Sequence, residues 1–333
     1  MDILLAIDES WEESGPLPLF IYNHGGGRGG PAGDYFAPVQ TANGAAVLSK
    51  RQLENPGKYN AHIIATQNHS NTQVNNEALI AYVDQLVADG LVDPDRVYMS
   101  GFSMGSMYTV GLYTRNPEFL AAIVPLAGGG LPSVEQLTEN PELAKVSIWA
   151  HSHEADFMGG PWTEYFSTGA GASGLYEEAN VSILETNQAF NFPYFGFDWT
   201  PHETEAQVFS NKISQSNTVF TYGPGHEEFA DETIFDWMFA QFKSENRIGD
   251  LQDMVAGLAL NKGNMNALTV KLANADRFVS EGNAEQAGDM LNAFMNQVSA
   301  FVNAGKLSEE QALEMNAAAE ETLKYVHYVT TLR

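Results

Sequence analysis

Short apolar strands alternating with helices over the first three-quarters of the chain predict an α/β fold, with a small all-α bundle after it. Three observations carry that expectation. Continuous apolar runs of strand length recur at 17–23, 62–66, 97–100, 121–126, 146–150 and 218–222, which is the pattern of a mostly parallel sheet covered by helices on both faces. All 14 prolines lie at or before Pro224, and all 5 tryptophans at or before Trp237. Beyond Phe242 the texture turns to Ala, Asn, Leu, Met and Glu at helical spacing. The polar stretch Lys243-Ser244-Glu245-Asn246-Arg247 is the expected boundary, giving units 1–245 and 246–333.

In chain order, 17–23 and 62–66 read as the first strands, 76–88 as a helix, and 97–100 as a strand running into a helix at 106–114. The runs 121–126, 146–150 and 218–222 complete the set. Ligands of such sheets bind at the carboxyl ends of the strands. Downstream, Ile248, Leu251, Val255 and Leu258 share a helix face, as do Leu291, Phe294, Met295, Val298, Phe301 and Val302. Gly305 is expected to end that helix, and Ser308 with Gln311 to cap the next.

Charge and composition exclude several classes. Hydrophobic residues at 44% and charged residues at 17% suit a globular chain. A net charge of -26 disfavours nucleic acid as partner, because phosphate binding needs clustered Lys and Arg. There is no cysteine, hence no disulfide and no thiolate nucleophile. The first residues lack the basic and apolar regions of a signal peptide. The protein is thus expected either to stay inside the cell or to have lost a leader. No apolar run has the length of a membrane span.

The chemistry concentrates on Gly101-Phe102-Ser103-Met104-Gly105. At a strand-to-helix junction, G-x-S-x-G is the setting of a nucleophile elbow, with the serine at the tip of a sharp turn. Ser103 needs a base, and the base needs an acid to orient it. His226, in Gly223-Pro224-Gly225-His226 after the last strand, is the expected base. His202, in Trp199-Thr200-Pro201-His202-Glu203, is the rival, with no clear strand ahead of it. Asp156, closing His151-Ser152-His153-Glu154-Ala155-Asp156, is the expected acid, and Glu154 the second choice. That crowded run also resembles a metal site, but Ala155 stands where a metallo-hydrolase string needs an acid, so no metal ligands are assigned. The oxyanion donors are expected from the N–H groups of Met104 and of Gly26 in His24-Gly25-Gly26-Gly27. Phe102, Trp162 and Trp199 are the aromatic residues expected to line a substrate pocket. The long stretch 159–207 is expected to supply part of a lid.

The segment 93–105, the run Asn23-His24-Gly25-Gly26-Gly27-Arg28-Gly29-Gly30, and Gly225-His226 followed by Phe235-Asp236-Trp237-Met238-Phe239-Ala240-Gln241 together resemble the α/β-hydrolase esterases grouped with feruloyl esterases and polyhydroxybutyrate depolymerases. The resemblance covers about 1–242. It implies a secreted or cell-associated carboxylic ester hydrolase that needs no cofactor, and it agrees with the roles given to Ser103, Asp156 and His226. Two departures stand out. One residue is added to the family's H-G-x-x-D, and the loop before the histidine is long and aromatic. Candidate substrates are hydroxycinnamoyl, aromatic or polyester-type esters, some polymeric. The tail from about 248 to 323 resembles the FIMAH domain of exported bacterial proteins, through Asn266-Ala267-Leu268, Ala293-Phe294-Met295-Asn296-Gln297-Val298 and Gly305-Lys306-Leu307-Ser308. That implies an extracellular or cell-surface setting and a tail that docks to a surface or polymer. A serine peptidase of the same fold, and a non-catalytic adhesion or binding protein, are the competing readings.

Overall fold

The computed structural model describes residues 2–6, 16–25, 44–67, 72–156, 161–185, 193–194, 197–198, 204–213, 218–243 and 247–331. Its strands are β1 (Asp2–Ala6), β2 (Leu17–Asn23), β3 (His62–Gln67), β4 (Val92–Phe102), β5 (Ala122–Leu126), β6 (Ser147–His153), β7 (Ala179–Leu184), β8 (Pro193–Tyr194), β9 (Phe197–Asp198) and β10 (Thr218–Tyr222). The helices of the first part are α1 (Gly44–Glu54), α2 (Thr72–Ala88), α3 (Met104–Arg115), α4 (Val134–Glu139), α5 (Glu142–Lys145), α6 (Pro161–Ser167), α7 (Glu205–Ser210), α8 (Gly225–Glu228) and α9 (Ile234–Phe239). Those of the second are α10 (Arg247–Ala256), α11 (Lys262–Ser280), α12 (Ala284–Asn303) and α13 (Glu309–Thr331). The chain divides into two compact units, Met1–Lys243 and Ser244–Arg333.

In the first unit eight of the described strands form one sheet in the order β1-β3-β2-β4-β5-β6-β7-β10, and β8 and β9 pair antiparallel with each other. Neighbours from β3 through β7 run parallel, and β1 and β10 flank them antiparallel. Strand alternation sorts the side chains into two faces. Leu19, Ile21, Val97, Met99, Ile123 and Ile148 pack under Leu79, Val83 and Leu86 of α2 and Val110, Leu112 and Tyr113 of α3. On the other face the rings of Phe20, Tyr22, Tyr98 and Trp149 meet Phe209 of α7 and Phe235, Trp237 and Phe239 of α9. Burying eight such rings removes on the order of 1,500 Å² from water, so this face is a main anchor of the sheet.

Two features differ from the sequence expectation. β7 was not read as a strand, because Asn180 and Ser182 break its apolar run. Both are buried nevertheless. Asn180 Oδ1 accepts from the Gly225 N–H at 2.8 Å, and Ser182 Oγ accepts from Trp149 Nε1 at 3.0 Å, so neither leaves an unpaired polar group inside. β10 is a strand as expected but joins antiparallel, as a largely exposed edge.

The second unit packs Ile248, Leu251, Leu268, Leu272, Leu291, Phe294, Val298 and Met315 into its own core. Gly305, at φ 64°, follows α12 in the left-handed region that glycine tolerates. Ser308 and Gln311 form the reciprocal cap before α13: each backbone N–H donates to the other's side chain, at 3.0 and 3.1 Å. No helix among the described residues is long and apolar enough to cross a membrane.

Candidate active site

Ser103 follows the last residue of β4 and precedes the first of α3, with φ 55° and ψ −115°. A side chain other than glycine's seldom adopts this backbone, and strain of this kind persists only where the surroundings enforce it. The enforcement is visible. A Cβ on Gly101 would lie 2.3 Å from the Gly105 carbonyl oxygen, and one on Gly105 would lie 2.1 Å from that of Asn23. Only glycine lets β4, α3 and the end of β2 approach so closely. The Ser103 N–H donates to the Leu126 carbonyl at 2.9 Å, and its own carbonyl accepts from the Met107 N–H at 3.2 Å. The sharp turn is thereby tied to β5 on one side and to the first turn of α3 on the other.

The end of β2 is braced from beneath. Asn23 Oδ1 accepts from Thr66 Oγ1, and Asn23 Nδ2 donates to Thr109 Oγ1 at 3.2 Å. This joins β2 to β3 and to α3 where the glycine-rich run begins. His24 Nδ1 lies 2.7 Å from the Gly25 carbonyl. A carbonyl only accepts, so this nitrogen carries the proton. A Cβ at Gly25 would lie 2.6 Å from Phe102 Cδ1, so the loop starts pressed on the residue before the nucleophile. Gly26, the expected second oxyanion donor, lies outside the described residues. Met104 stands at the amino end of α3, where backbone N–H groups have no carbonyl partner within the helix and favour negative charge.

Asp156 is buried at the carboxyl end of β6, with its N–H donating to the His153 carbonyl at 3.1 Å, whereas Glu154 is exposed. The Glu154 N–H donates to the Leu184 carbonyl at 2.9 Å, and His153 Nδ1 donates to the Glu185 carbonyl at 2.9 Å. The ends of β6 and β7 are therefore stitched together beside Asp156. Among the described residues no group of three or more His, Asp or Glu is arranged to hold a metal ion.

The two histidines part company. β10 pairs Thr218 with Leu184 and Tyr222 with Val181, so the chain runs away from the carboxyl end of β7 before it reaches His226. His226 Nε2 donates to the Val181 carbonyl at 2.8 Å and sits 3.2 Å from Ser182 Oγ. Its ring meets Trp149 edge-on at 4.8 Å. Burial lowers the His226 pKa, and the Val181 hydrogen bond opposes that only in part. In this arrangement His226 is fastened to β7 and is not brought to Ser103. The reason is topological: an antiparallel final strand ends at the other end of the sheet from a parallel one. His202 lies outside the described residues, but the ends of its segment are fixed. Glu185 leaves β7 at the carboxyl end. α7 then descends from Thr204, past Phe209 on Tyr22, to Lys212, which bridges Thr233 near Tyr59 at the start of β3.

The expected substrate aromatics fare differently. Trp162 is 2% exposed and packs with Phe166, Ala150 and Val181 in a core cluster. It supports the fold and does not line an open pocket. Phe102 is 4% exposed, under Gly25, and Trp199 lies outside the described residues. The sequence reading missed the turn after β5. There Ala127 has φ 49°, and a Cβ on Gly128 would lie 3.0 Å from the Ser103 carbonyl oxygen. The run Gly128-Gly129-Gly130 was the available signal.

Residues 248–324 match the FIMAH domain. The Nocardia uniformis subsp. tsuyamanensis protein NocK, named as an esterase, is 30% identical over 117 residues, which is 35% of this chain and 34% of NocK. Poly(3-hydroxyalkanoate) depolymerase C of Paucimonas lemoignei is 29% identical over 160 residues, 43% of this chain and 38% of that protein. The matches thus span little more than a third of these relatives. Among solved structures, a thermostable esterase superposes with a TM-score of 0.50 at 19% identity, over 72% of this chain and 59% of that one. The first unit is therefore of the α/β-hydrolase fold, related in sequence to esterases, and the second unit carries a FIMAH domain.

Proposed function

We propose that the protein is a serine-dependent carboxylic ester hydrolase working through an acyl-enzyme. The observation that carries this reading is the enforced left-handed backbone of Ser103 at the junction of β4 and α3. A serine held there presents its Oγ above the carboxyl edge of the sheet. In the proposed sequence Ser103 Oγ attacks the ester carbonyl and its proton passes to a histidine. The N–H groups of Met104 and Gly26 stabilise the oxyanion, the alcohol leaves with that proton, and water then releases the acid. Asp156 is the proposed carboxylate that orients the histidine. For the base, the topology supports His202, whose segment leaves β7 at the carboxyl end, over His226, which donates to Val181. The names of the two relatives point to ester substrates, including hydroxyalkanoate polyesters and, by the motif resemblance, hydroxycinnamoyl esters.

The test is hydrolysis of 4-nitrophenyl acetate, butyrate and decanoate, methyl ferulate and a hydroxybutyrate oligomer by wild type, Ser103→Ala, His202→Asn and His226→Asn. Ser103→Ala and His202→Asn should each lose on the order of 10⁴-fold or more in kcat. His226→Asn should lose far less. Retention of activity by Ser103→Ala would end the serine mechanism. Loss confined to folded His226→Asn would return the base to His226 and require the β10 edge to rearrange. Turnover of peptides alone would favour a peptidase.

A further inference from the structure

The turn after β5 contacts the nucleophile's own peptide, and no role has so far been given to it. Ala127 is fully buried at φ 49°, the left-handed region. Its N–H donates to the His151 carbonyl at 2.8 Å, and the residue before it, Leu126, accepts from the Ser103 N–H at 2.9 Å. Two non-glycine residues thus hold left-handed backbone side by side, coupled by one hydrogen bond. Ser103 is explained by the elbow. Ala127 turns the chain so that Gly128 comes directly over α3. A Cβ at Gly128 would lie 2.5 Å from Ser106 Cβ, 2.6 Å from Ser106 Oγ and 3.0 Å from the Ser103 carbonyl oxygen. Ser106 is itself fully buried, so it has little room to yield.

The Ser103 carbonyl and the Met104 N–H belong to one planar peptide unit. Whatever pushes the carbonyl tilts the N–H with it. The Met107 N–H holds this carbonyl at 3.2 Å, and any Cβ at position 128 would press on it from 3.0 Å, so the bare glycine keeps it in place. We infer that Gly128 is a positioning residue for the oxyanion hole: it holds the Ser103–Met104 peptide so that the Met104 N–H points at the developing oxyanion. This rests on the serine reading above and adds to it a device that neither the motif nor the triad contains. Ser106 is its partner, because its Cβ and Oγ set the space available at position 128.

The experiment measures the rate of phosphonylation by a fluorophosphonate, kcat and KM for 4-nitrophenyl butyrate, and the unfolding temperature, in the full chain. Gly128→Ala should slow phosphonylation and lower kcat by about 10- to 100-fold, the scale expected for misplacing a catalytic group by less than an ångström, with KM unchanged. Adding Ser106→Gly removes the two nearest obstructions, so the double variant should regain most of the rate. Ala127→Gly adds no atoms and frees the left-handed turn. It should fold and lose rate several-fold at unchanged KM, which keeps the inference testable if Gly128→Ala alone does not fold. A wild-type rate in folded Gly128→Ala or folded Ala127→Gly, a loss that merely tracks the unfolded fraction, or a double variant with no recovery would overturn it. A wild type that never labels would instead defeat the serine reading, and this inference with it.

Discussion

At the residue scale, the buried groups around Trp149 make a prediction independent of the catalytic assignment. His151 is 4% exposed and stacks on Trp149 at 5.8 Å, and among the described residues neither ring nitrogen has a hydrogen-bond partner. Burial, then the neighbouring His226, lowers its pKa well below the ordinary value, and burial lowers that of His226 as well. Both groups take up protons more readily in the unfolded chain, near pH 6.5. The stability they contribute is therefore complete above that pH and is lost as the pH falls toward their folded values. Of the nearby carboxylates, Glu178 accepts from Trp237 Nε1 at 2.6 Å, and Glu227 and Glu228 follow His226 in the chain and are exposed. We expect the unfolding temperature of His151→Leu to fall less than that of wild type between pH 7 and pH 5. Parallel curves would show that His151 does not titrate with unfolding.

At the scale of elements, legibility followed how each segment meets its partners. β2, β3, β5 and β10 were readable because their apolar runs end at turn residues. The elbow was readable because its steric needs force glycine at 101 and 105. β7 was not, since buried Asn180 and Ser182 look like surface residues until Gly225 and Trp149 are seen to satisfy them. The direction of β10 was not legible either, because one edge strand's sequence does not encode its sense. That single unread fact moved His226 away from the nucleophile's end of the sheet. α9 shows what a well-capped helix start is worth. Asp236 Oδ2 accepts from the Thr233 N–H at 2.8 Å, its Oδ1 accepts from Tyr59 at 2.9 Å, and Lys58 pairs with it at 2.7 Å. Although burial pushes upward on the Asp236 pKa, these partners hold it below the ordinary value. Asp236→Ala should cost about 2–3 kcal/mol, a lost cap together with buried donors left unpaired. Denaturant unfolding measures it, and a change under about 0.5 kcal/mol would show that this network does not hold α9.

At the scale of the whole molecule, the chain divides near residue 244 into two compact units, each with a core of its own. We expect the chain cut after Lys243 to hydrolyse a small soluble ester as well as the full chain does. If the FIMAH-bearing unit docks to polymer, the cut chain should bind insoluble polyester or plant cell-wall polysaccharide less well. Loss of soluble-ester activity on truncation would contradict the first statement, and unchanged polymer binding the second. The net charge of -26 enters here as well. Self-repulsion among surface carboxylates is screened by salt, so both forms should be more stable in salt than at low ionic strength.

The measurement that bears most directly on the central claim is covalent labelling of the intact protein with a fluorophosphonate, followed by mass-spectrometric location of the modified peptide. The account predicts one phosphonyl group, on Ser103, with ester hydrolysis lost in step with labelling. An unlabelled protein that still turns over esters, or a label on any other residue, would contradict it.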